Sequence, residues 1–351
     1  MTVQGKYGNR ASLLLIYTGG TIGMKQDPVT QTLKPFNFSQ ILDEVPELSK
    51  FACRIDSISF NPIIDSSDIE PSVWEKLADE IGKNYDSYDG FVILHGTDTM
   101  AYSASVLSFM LENLTKPVIF TGSQLPIGVP RTDGKENLVS AIEIASSKDA
   151  DGHACVPEVC ICFGNKLYRG NRTCKVSSEE FNAFRSPNLP PLAEAGIVIR
   201  YNNSVIIKPS DWDAPLKIHH GLDTRVSILK IHPGITPQVV RNILCGPETR
   251  AVILETYGSG NAPSKPWFLE IVREAVAMGK VLVNVTQCLA GSVDMGIYAN
   301  GRTLMDCGVY SGFDSTVESM LGKLFHLLSL GLPEEGFQEL LCSSLRGEIS
   351  K

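Results

Sequence analysis

Two threonines, an aspartate and a lysine have the residue types that covalent catalysis requires. Thr21 stands in the segment TGGTIG, Thr97 and Asp98 stand in HGTDT, and Lys175 comes shortly after YRGNRT. A threonine hydroxyl is a weak nucleophile unless a base or a polarising group activates it. A lysine is such a base when burial or neighbouring charges keep its amine partly neutral, and an adjacent aspartate can orient it. Thr97, Asp98 and Lys175 therefore form a workable proton relay, with the logic of a Ser–His–Asp triad in other residue types.

Two of these residues also have simpler interpretations. Thr21 suits an ordinary turn between a strand and a helix, in which its hydroxyl caps the helix. Lys175 lies far from Thr97 in the sequence, so that sequence distance alone favours a solvated loop lysine. The chemistry and the simpler interpretations both stay open at this point.

A dense polar cluster, NPIIDSSDIEP, precedes a segment with helical spacing. One interpretation is local, because Ser67 or Asp68 can cap a helix that begins near Pro71. The other assigns Asp65 and Ser66 to contacts with a small polar ligand. Different residues serve each role, so both interpretations can hold together.

The elements that position these residues follow a repeated pattern of strand, polar loop and helix. The run from Leu13 to Ile16 predicts a strand buried on both faces, and the glycines after it allow a tight turn and close approach to a ligand. Similar apolar runs end at HGTDT, TGSQ and GNKLYRGNRTCK. This rhythm predicts a doubly wound parallel sheet, in which ligands collect at the carboxyl ends of the strands. Several hydroxyl-rich loops should therefore converge on one edge.

A shift in composition predicts two α/β domains. Residues 1–200 form the larger N-terminal domain with the candidate catalytic residues, and the proline-rich texture before Gly221 places a linker at 201–222. Residues 223–351 restart with the strand VSILKI and form a smaller parallel-sheet α/β domain that closes on a C-terminal pair of helices. A chain of 351 residues exceeds the usual size of a single core.

Composition excludes several classes of protein. Hydrophobic residues make up 43% and charged residues 20%, and no apolar run approaches the ~18 residues of a membrane span. The net charge of −8 argues against a nucleic-acid binder. The nine cysteines form no compact framework and no CxxC pairs, which favours reduced thiols in the cytoplasm. The chain lacks a P-loop, a GxGxxG fingerprint, a GxSxG elbow and metal-ligand spacing, so we expect no metal and no cofactor.

The motifs, in their order along the chain, resemble those of the bacterial-type L-asparaginases, and specifically their cytosolic type I branch. The matching blocks span nearly the whole chain: TGGTIG, DSSD, HGTDTM, TGSQLP, YRGNRT-x-K, YGSGNAP and NVTQC. The resemblance implies hydrolysis of L-asparagine to L-aspartate and ammonia by an enzyme of two α/β domains. It also implies active sites completed across a homodimer, with dimers that often pair into tetramers.

The resemblance also implies roles for individual residues. Thr21 resembles the nucleophile that attacks first, and Thr97, Asp98 and Lys175 resemble the second triad. Ser66 resembles the residue that holds the substrate's α-carboxylate, and Asp98 meets its α-ammonium group. The candidate substrate-binding residues are Asp65, Ser66, Ser67, Thr97, Asp98 and Asn261, the last of which resembles a residue that reaches a neighbouring subunit's site.

Two departures from the family pattern affect the prediction. Many relatives carry a tyrosine in the loop after the nucleophile, but the segment DPVTQTLKPF has none, and Tyr17 lies upstream on the strand. The group that activates Thr21 is therefore open. Some type I members bind a second asparagine through an arginine before the YGxGNAP turn, where this chain has Glu255. A carboxylate there would repel the effector's carboxylate, so we predict that this allosteric site is absent or altered.

The sequence argues against two other functions. A related amidotransferase subunit, which feeds ammonia to a tRNA-linked reaction, usually carries an extra N-terminal domain, whereas only twenty residues precede Thr21. An amino-acid sensor on the same fold would be expected to lose Thr21 or Lys175, and both are present. The sequence therefore favours the hydrolase.

Overall fold

A computed structural model describes residues 11–26, 33–35, 45–296 and 299–350. The chain divides after His220 into two compact units. Each unit is an α/β structure around its own sheet, which is mostly parallel in the first unit and parallel in the second, and this confirms the predicted fold class. The stretch predicted as a linker, 201–222, crosses this division.

The described part of the first unit is built on strands and helices that alternate along the chain. Its strands are β1 (Ser12–Tyr17), β2 (Met24–Gln26), β3 (Leu33–Pro35), β4 (Arg54–Ser59), β5 (Gly90–Leu94), β6 (Leu111–Glu112), β7 (Val118–Thr121), β8 (Val159–Phe163), β9 (Lys166–Arg169), β10 (Cys174–Lys175), β11 (Phe184–Arg185), β12 (Ala193–Ala195), β13 (Ile199–Tyr201) and β14 (Lys217–Ile218). Its α-helices are α1 (Pro71–Asn84), α2 (Met100–Met110) and α3 (Gly134–Ser146).

Among the described residues, eight strands form one sheet in the order β13-β12-β9-β8-β7-β5-β1-β4. The five strands from β8 to β4 are parallel, and β9, β12 and β13 continue the sheet as antiparallel strands. β1 and β5 are neighbours in this sheet. The strand that pairs with β1 on its other side is β4, and the strand that pairs with β5 on its other side is β7. The carboxyl ends of β1 and β5 therefore flank the point where the strand order reverses, which is where ligands bind in sheets of this kind.

Burial on both faces explains why β1 is a continuous apolar run. Leu13, Leu15 and Tyr17 belong to a core that includes Leu138 and Ile142 of α3. Every residue of β5 is likewise buried. Because side chains alternate across a strand, complete burial requires cover on both faces of the sheet. The sequence prediction for this strand is confirmed.

The predicted cap of α1 is wrong. Ser66–Asp68 form a separate 3-10 helix, and the carboxylate of Asp65 caps it by accepting from the N–H of Ser67. Helix α1 begins at Pro71 with Glu70 at its N-cap position, and no side chain caps it. Two extended residues after the 3-10 helix carry Ser67 and Asp68 too far from the first turn of α1 to serve it.

A buried ion pair fixes the chain beyond β13 onto the sheet. Arg169 Nε lies 2.5 Å from Glu158 Oε2, and both side chains are almost fully buried. The same guanidinium donates to the carbonyl of Val205, and Glu158 accepts from the N–H of Ile207. The early part of the stretch 201–222 is therefore packed against the first unit.

The second unit has a parallel sheet in the order β15-β16-β17-β18. The strands are β15 (Val226–Lys230), β16 (Ala251–Thr256), β17 (Val281–Thr286) and β18 (Tyr310–Ser311). The helices described in it are α4 (Pro237–Leu244), α5 (Pro266–Ala277), α6 (Ala299–Asp306), α7 (Val317–Ser329) and α8 (Glu334–Leu341). Two apolar clusters cover the two faces of the sheet, and α7 and α8 are the predicted C-terminal pair.

All nine cysteines are free thiols. None of the helices that the structure describes is long and apolar enough to cross a membrane.

Candidate active site

The turn after β1 presents Thr21 at the carboxyl end of the strand. Gly20 adopts a φ of 94°, a left-handed conformation that favours glycine, and Thr21 opens a 3-10 helix that ends at Gly23. Tyr17 is buried beneath the turn, and its hydroxyl donates to the carbonyl of Gly20 at 3.4 Å. Burial raises the pKa of Tyr17 to about 12. This tyrosine therefore supports the turn as a neutral phenol.

Three segments distant in sequence meet at this turn because their closest residues are small. A Cβ on Gly20 would lie 2.5 Å from the backbone nitrogen of Gly96, and a Cβ on Gly96 would collide with the Oγ of Ser66. Gly19 is packed still more tightly, against the carbonyl of Ile64. The TGGT turn therefore contacts the backbone of the HGTDT loop, and the HGTDT loop contacts Ser66 of the DSSD segment, as the convergence of hydroxyl-rich loops predicted.

The structure brings Lys175 to Thr97 and Asp98. The Lys175 ammonium donates to Thr97 Oγ1 at 2.8 Å and to Asp98 Oδ1 at 2.6 Å. The lysine side chain is 18% exposed, whereas that of Asp98 is 66% exposed, so solvent screens the ion pair from one side. Lys175 belongs to the β10–β11 hairpin, in which it pairs with Phe184. The interpretation of Lys175 as a solvated loop lysine is therefore wrong.

Gln124 stands in the TGSQLP block, although no role for it was predicted from the sequence. The Thr97 hydroxyl donates to Gln124 Oε1 at 3.3 Å, and Gln124 Nε2 donates to the carbonyl of Glu180 at 3.3 Å. The carboxylate of Asp133 fixes the loop by accepting from the N–H groups of Gln124 and Leu125. The position of this glutamine directly after a strand end was the available signal.

His95 is buried beneath the HGTDT loop. No role for this histidine was predicted from the sequence. Its Nδ1 lies 2.7 Å from the carbonyl of Gly96, and its Nε2 lies 2.9 Å from Ser103 Oγ. A carbonyl can only accept, so Nδ1 carries the proton and Nε2 accepts from the Ser103 hydroxyl. Trp74 Nε1 donates to that hydroxyl at 2.9 Å. Complete burial lowers the pKa of His95 to about 4, because desolvation disfavours the imidazolium.

The predicted substrate-binding residues of the DSSD segment lie in different environments. Ser66 is buried against Gly96, whereas Asp65 and Ser67 are exposed. Ser67 donates to Asp65 through its N–H at 2.9 Å and its hydroxyl at 2.7 Å, and these bonds lower the pKa of Asp65. The Thr99 hydroxyl donates to the Ser66 carbonyl at 2.7 Å, which ties this segment to the HGTDT loop.

Asn261 and Glu255 lie in the second unit. Asn261 is half-buried in a tight turn, where its backbone pairs with Tyr257 through two hydrogen bonds. Glu255 is on β16, and its carboxylate lies 3.6 Å from Lys230 Nζ. The segment DPVTQTLKPF lies outside the described residues, except for the backbone of Leu33–Pro35. Within the described ranges, no three His, Cys, Asp or Glu side chains form a group that could hold a metal ion.

The sequence matches two family descriptions in chain order, "Asparaginase, N-terminal" over residues 12–207 and "Glutaminase/Asparaginase C-terminal domain" over residues 225–341. With this fold and this arrangement of hydroxyl groups, the chain belongs to the asparaginase family, and the resemblance drawn from the motifs is confirmed.

Individual relatives cover the chain almost completely. It is 45% identical to L-asparaginase 1 of Escherichia coli (strain K12) over 346 residues, which are 97% of this chain and 98% of that one. The crystal structure of L-asparaginase I from Vibrio cholerae matches 98% of this chain and 100% of its own, with a TM-score of 0.87 and 43% identity. The human 60 kDa lysophospholipase is 42% identical over 365 residues, 98% of this chain and 62% of that protein.

Proposed function

We propose that the protein hydrolyses L-asparagine to L-aspartate and ammonia through a covalent intermediate on Thr21. Membership of the asparaginase family supports the reaction. The observation that carries the residue assignment is the contact of Lys175 with both Thr97 and Asp98, beside the packed glycines that lead to Thr21.

In the proposed reaction, the Thr21 oxygen attacks the carbon of the side-chain amide as its hydroxyl gives up a proton, and a tetrahedral intermediate forms. The C–N bond then breaks, the leaving nitrogen takes up that proton and ammonia departs, which leaves an aspartyl ester on Thr21. A water molecule adds to the ester, the bond to the Thr21 oxygen breaks, and L-aspartate leaves. Backbone N–H groups near Gly20 and Thr97 stabilise the oxyanion in both steps, each donor contributing ~3–4 kcal/mol. Lys175 and Thr97 manage the proton transfers.

The residues around the glycine contact suit the two ends of an amino acid. Ser66, with Asp65 and Ser67 beside it, is proposed to bind the α-carboxylate through its hydroxyl and neighbouring N–H groups. Asp98 leaves most of its carboxylate exposed even when it pairs with Lys175, so it can also accept from an α-ammonium group. Opposite charges at the two ends would fix the amide carbon near Thr21.

Release of ammonia from asparagine tests the function directly. We expect purified protein to release ammonia at a steady rate, and Thr21→Ala to lower kcat by roughly 10³-fold or more, because a covalent route is lost. Thr97→Val keeps the shape of the side chain and removes its hydroxyl, so we expect a comparable loss. Retention of turnover in Thr21→Ala would contradict the assigned nucleophile. Asparagine binding without ammonia release by the unaltered protein would identify a sensor instead.

We further propose that the enzyme acts in the cytoplasm as a homodimer or a dimer of dimers. Nine free thiols suit a reducing compartment. Asn261 is the residue proposed to reach the site of a neighbouring subunit, as its motif in the GSGNAP turn indicates. Sedimentation of the purified protein measures the number of subunits.

A further inference from the structure

From outside the proposed triad, Gln124 contacts the Thr97 hydroxyl directly. We propose that Gln124 is a positioning residue of the relay: its Oε1 accepts a hydrogen bond from the Thr97 hydroxyl and so holds that oxygen beside Lys175 Nζ. The inference rests on the proposed function and adds to it a residue that fixes the orientation of the Thr97 side chain.

The chemistry of the partners fixes the direction of each bond. An ammonium group has donors and no acceptor, so at 2.8 Å the Thr97 oxygen accepts from Lys175. The Thr97 hydroxyl in turn donates to Gln124 Oε1, which lies at 3.3 Å. The Glu180 carbonyl accepts from Gln124 Nε2, so a flipped amide would set two oxygens against each other.

Hydrogen bonds to its backbone also hold Gln124 in place. Asp133 accepts from the N–H of Gln124 at 3.0 and 3.1 Å, just before α3 begins. Asn137 on α3 donates to Asp133 and to the carbonyl of Gly122. Glu180 belongs to the loop that joins β10 to β11, so Gln124 also links the hairpin of Lys175 to the loop after β7. A hydroxyl acceptor with fixed geometry is what a preorganised relay requires.

Two substitutions separate acceptance of the proton from packing. Gln124→Met keeps the length of the side chain but removes the amide, so we expect kcat for asparagine to fall about 10-fold with KM within about twofold. Gln124→Glu keeps an oxygen acceptor within reach of Thr97, so we expect it to retain more of kcat than Gln124→Met. The matched control is Gln238→Met on the exposed face of α4, which should leave both constants unchanged.

The results can overturn the inference without touching the proposed function. Wild-type kcat in Gln124→Met, or a raised KM with unchanged kcat, would contradict a positioning role. Equal losses of kcat in both variants, with lowered thermal midpoints, would reduce Gln124 to a packing residue. By contrast, an unaltered protein that releases no ammonia from asparagine would overturn the proposed function itself, and this inference with it.

Discussion

At the scale of the residue, small side chains decide whether the site can form. Gly20 and Gly96 are in such close contact that a single methyl group would separate the TGGT turn from the HGTDT loop. The carbonyl of Gly96 is held in turn by the Nδ1–H of His95. The geometry around Thr97 therefore depends on a neutral imidazole buried below it.

His95 should make the protein less stable in mild acid. Its pKa is about 4 in the folded chain against an ordinary value of 6.5, so below pH 6.5 the unfolded chain binds more protons. The free energy of unfolding should then decrease from about pH 6.5 down to about pH 4, by about 3 kcal/mol in total. His95→Gln cannot titrate, so its thermal midpoint should start lower at pH 7 and fall less over this range.

A control histidine isolates the effect of burial. His232 is exposed, and His232→Gln serves as the matched control for the substitution itself. Parallel curves for His95→Gln and the unaltered protein would contradict the assignment of a buried, neutral imidazole.

At the scale of the element, a buried ion pair fastens the C-terminal segment to α7. Lys323 and Glu348 have fully buried side chains, with the Nζ of the lysine 2.7 Å from Oε1 of the glutamate. Lys323 also donates to the carbonyls of Leu341 and Ser343, and Glu348 accepts from the N–H groups of Leu345 and Arg346. The segment after α8 is therefore ordered by charge rather than by apolar packing alone.

Removing one partner of this pair should lower the free energy of unfolding much more than removing both. Glu348→Gln leaves the buried ammonium without its counter-charge, and we expect a loss of about 3–5 kcal/mol in the free energy of unfolding. The double variant Lys323→Met, Glu348→Gln should lose less than the sum of the single variants, since no uncompensated charge stays buried. Thermal unfolding of the three variants measures the difference. Strict additivity would show that the two charges do not stabilise each other.

At the scale of the whole molecule, the prediction concerns a second asparagine site, which we expect to be absent or altered. The Glu255 carboxylate lies 3.6 Å from Lys230 Nζ on the second sheet. We expect a hyperbolic dependence of rate on asparagine concentration, because a carboxylate does not attract the effector's carboxylate. Steady-state titration with asparagine measures this, with glutamine in parallel as a comparison substrate. A strongly sigmoidal curve would contradict the prediction.

Local signals in the sequence were sufficient for the fold class and for most strand ends. Runs such as Leu13 to Ile16 specify a strand buried on both faces, and the glycines and hydroxyl residues that follow mark its carboxyl end. These properties depend on neighbours within a few residues. The cap of α1 was predicted wrongly because the residue types alone do not specify the backbone conformation before Pro71. Ser67 and Asp68 are chemically able to cap a helix, but they lie in a separate 3-10 helix.

The sequence by itself determined which residue types stand at the strand ends, and with them the order of motifs that places the chain in its family. Only the tertiary structure decided that Lys175 contacts Thr97, 78 positions away, and that Gln124 accepts a hydrogen bond from the same hydroxyl. Such contacts depend on the strand order of the sheet and on the path of the β10–β11 hairpin. A pattern of nearby residues predicts neither the strand order nor the path of the hairpin, because spatial neighbours in a parallel sheet come from distant parts of the chain.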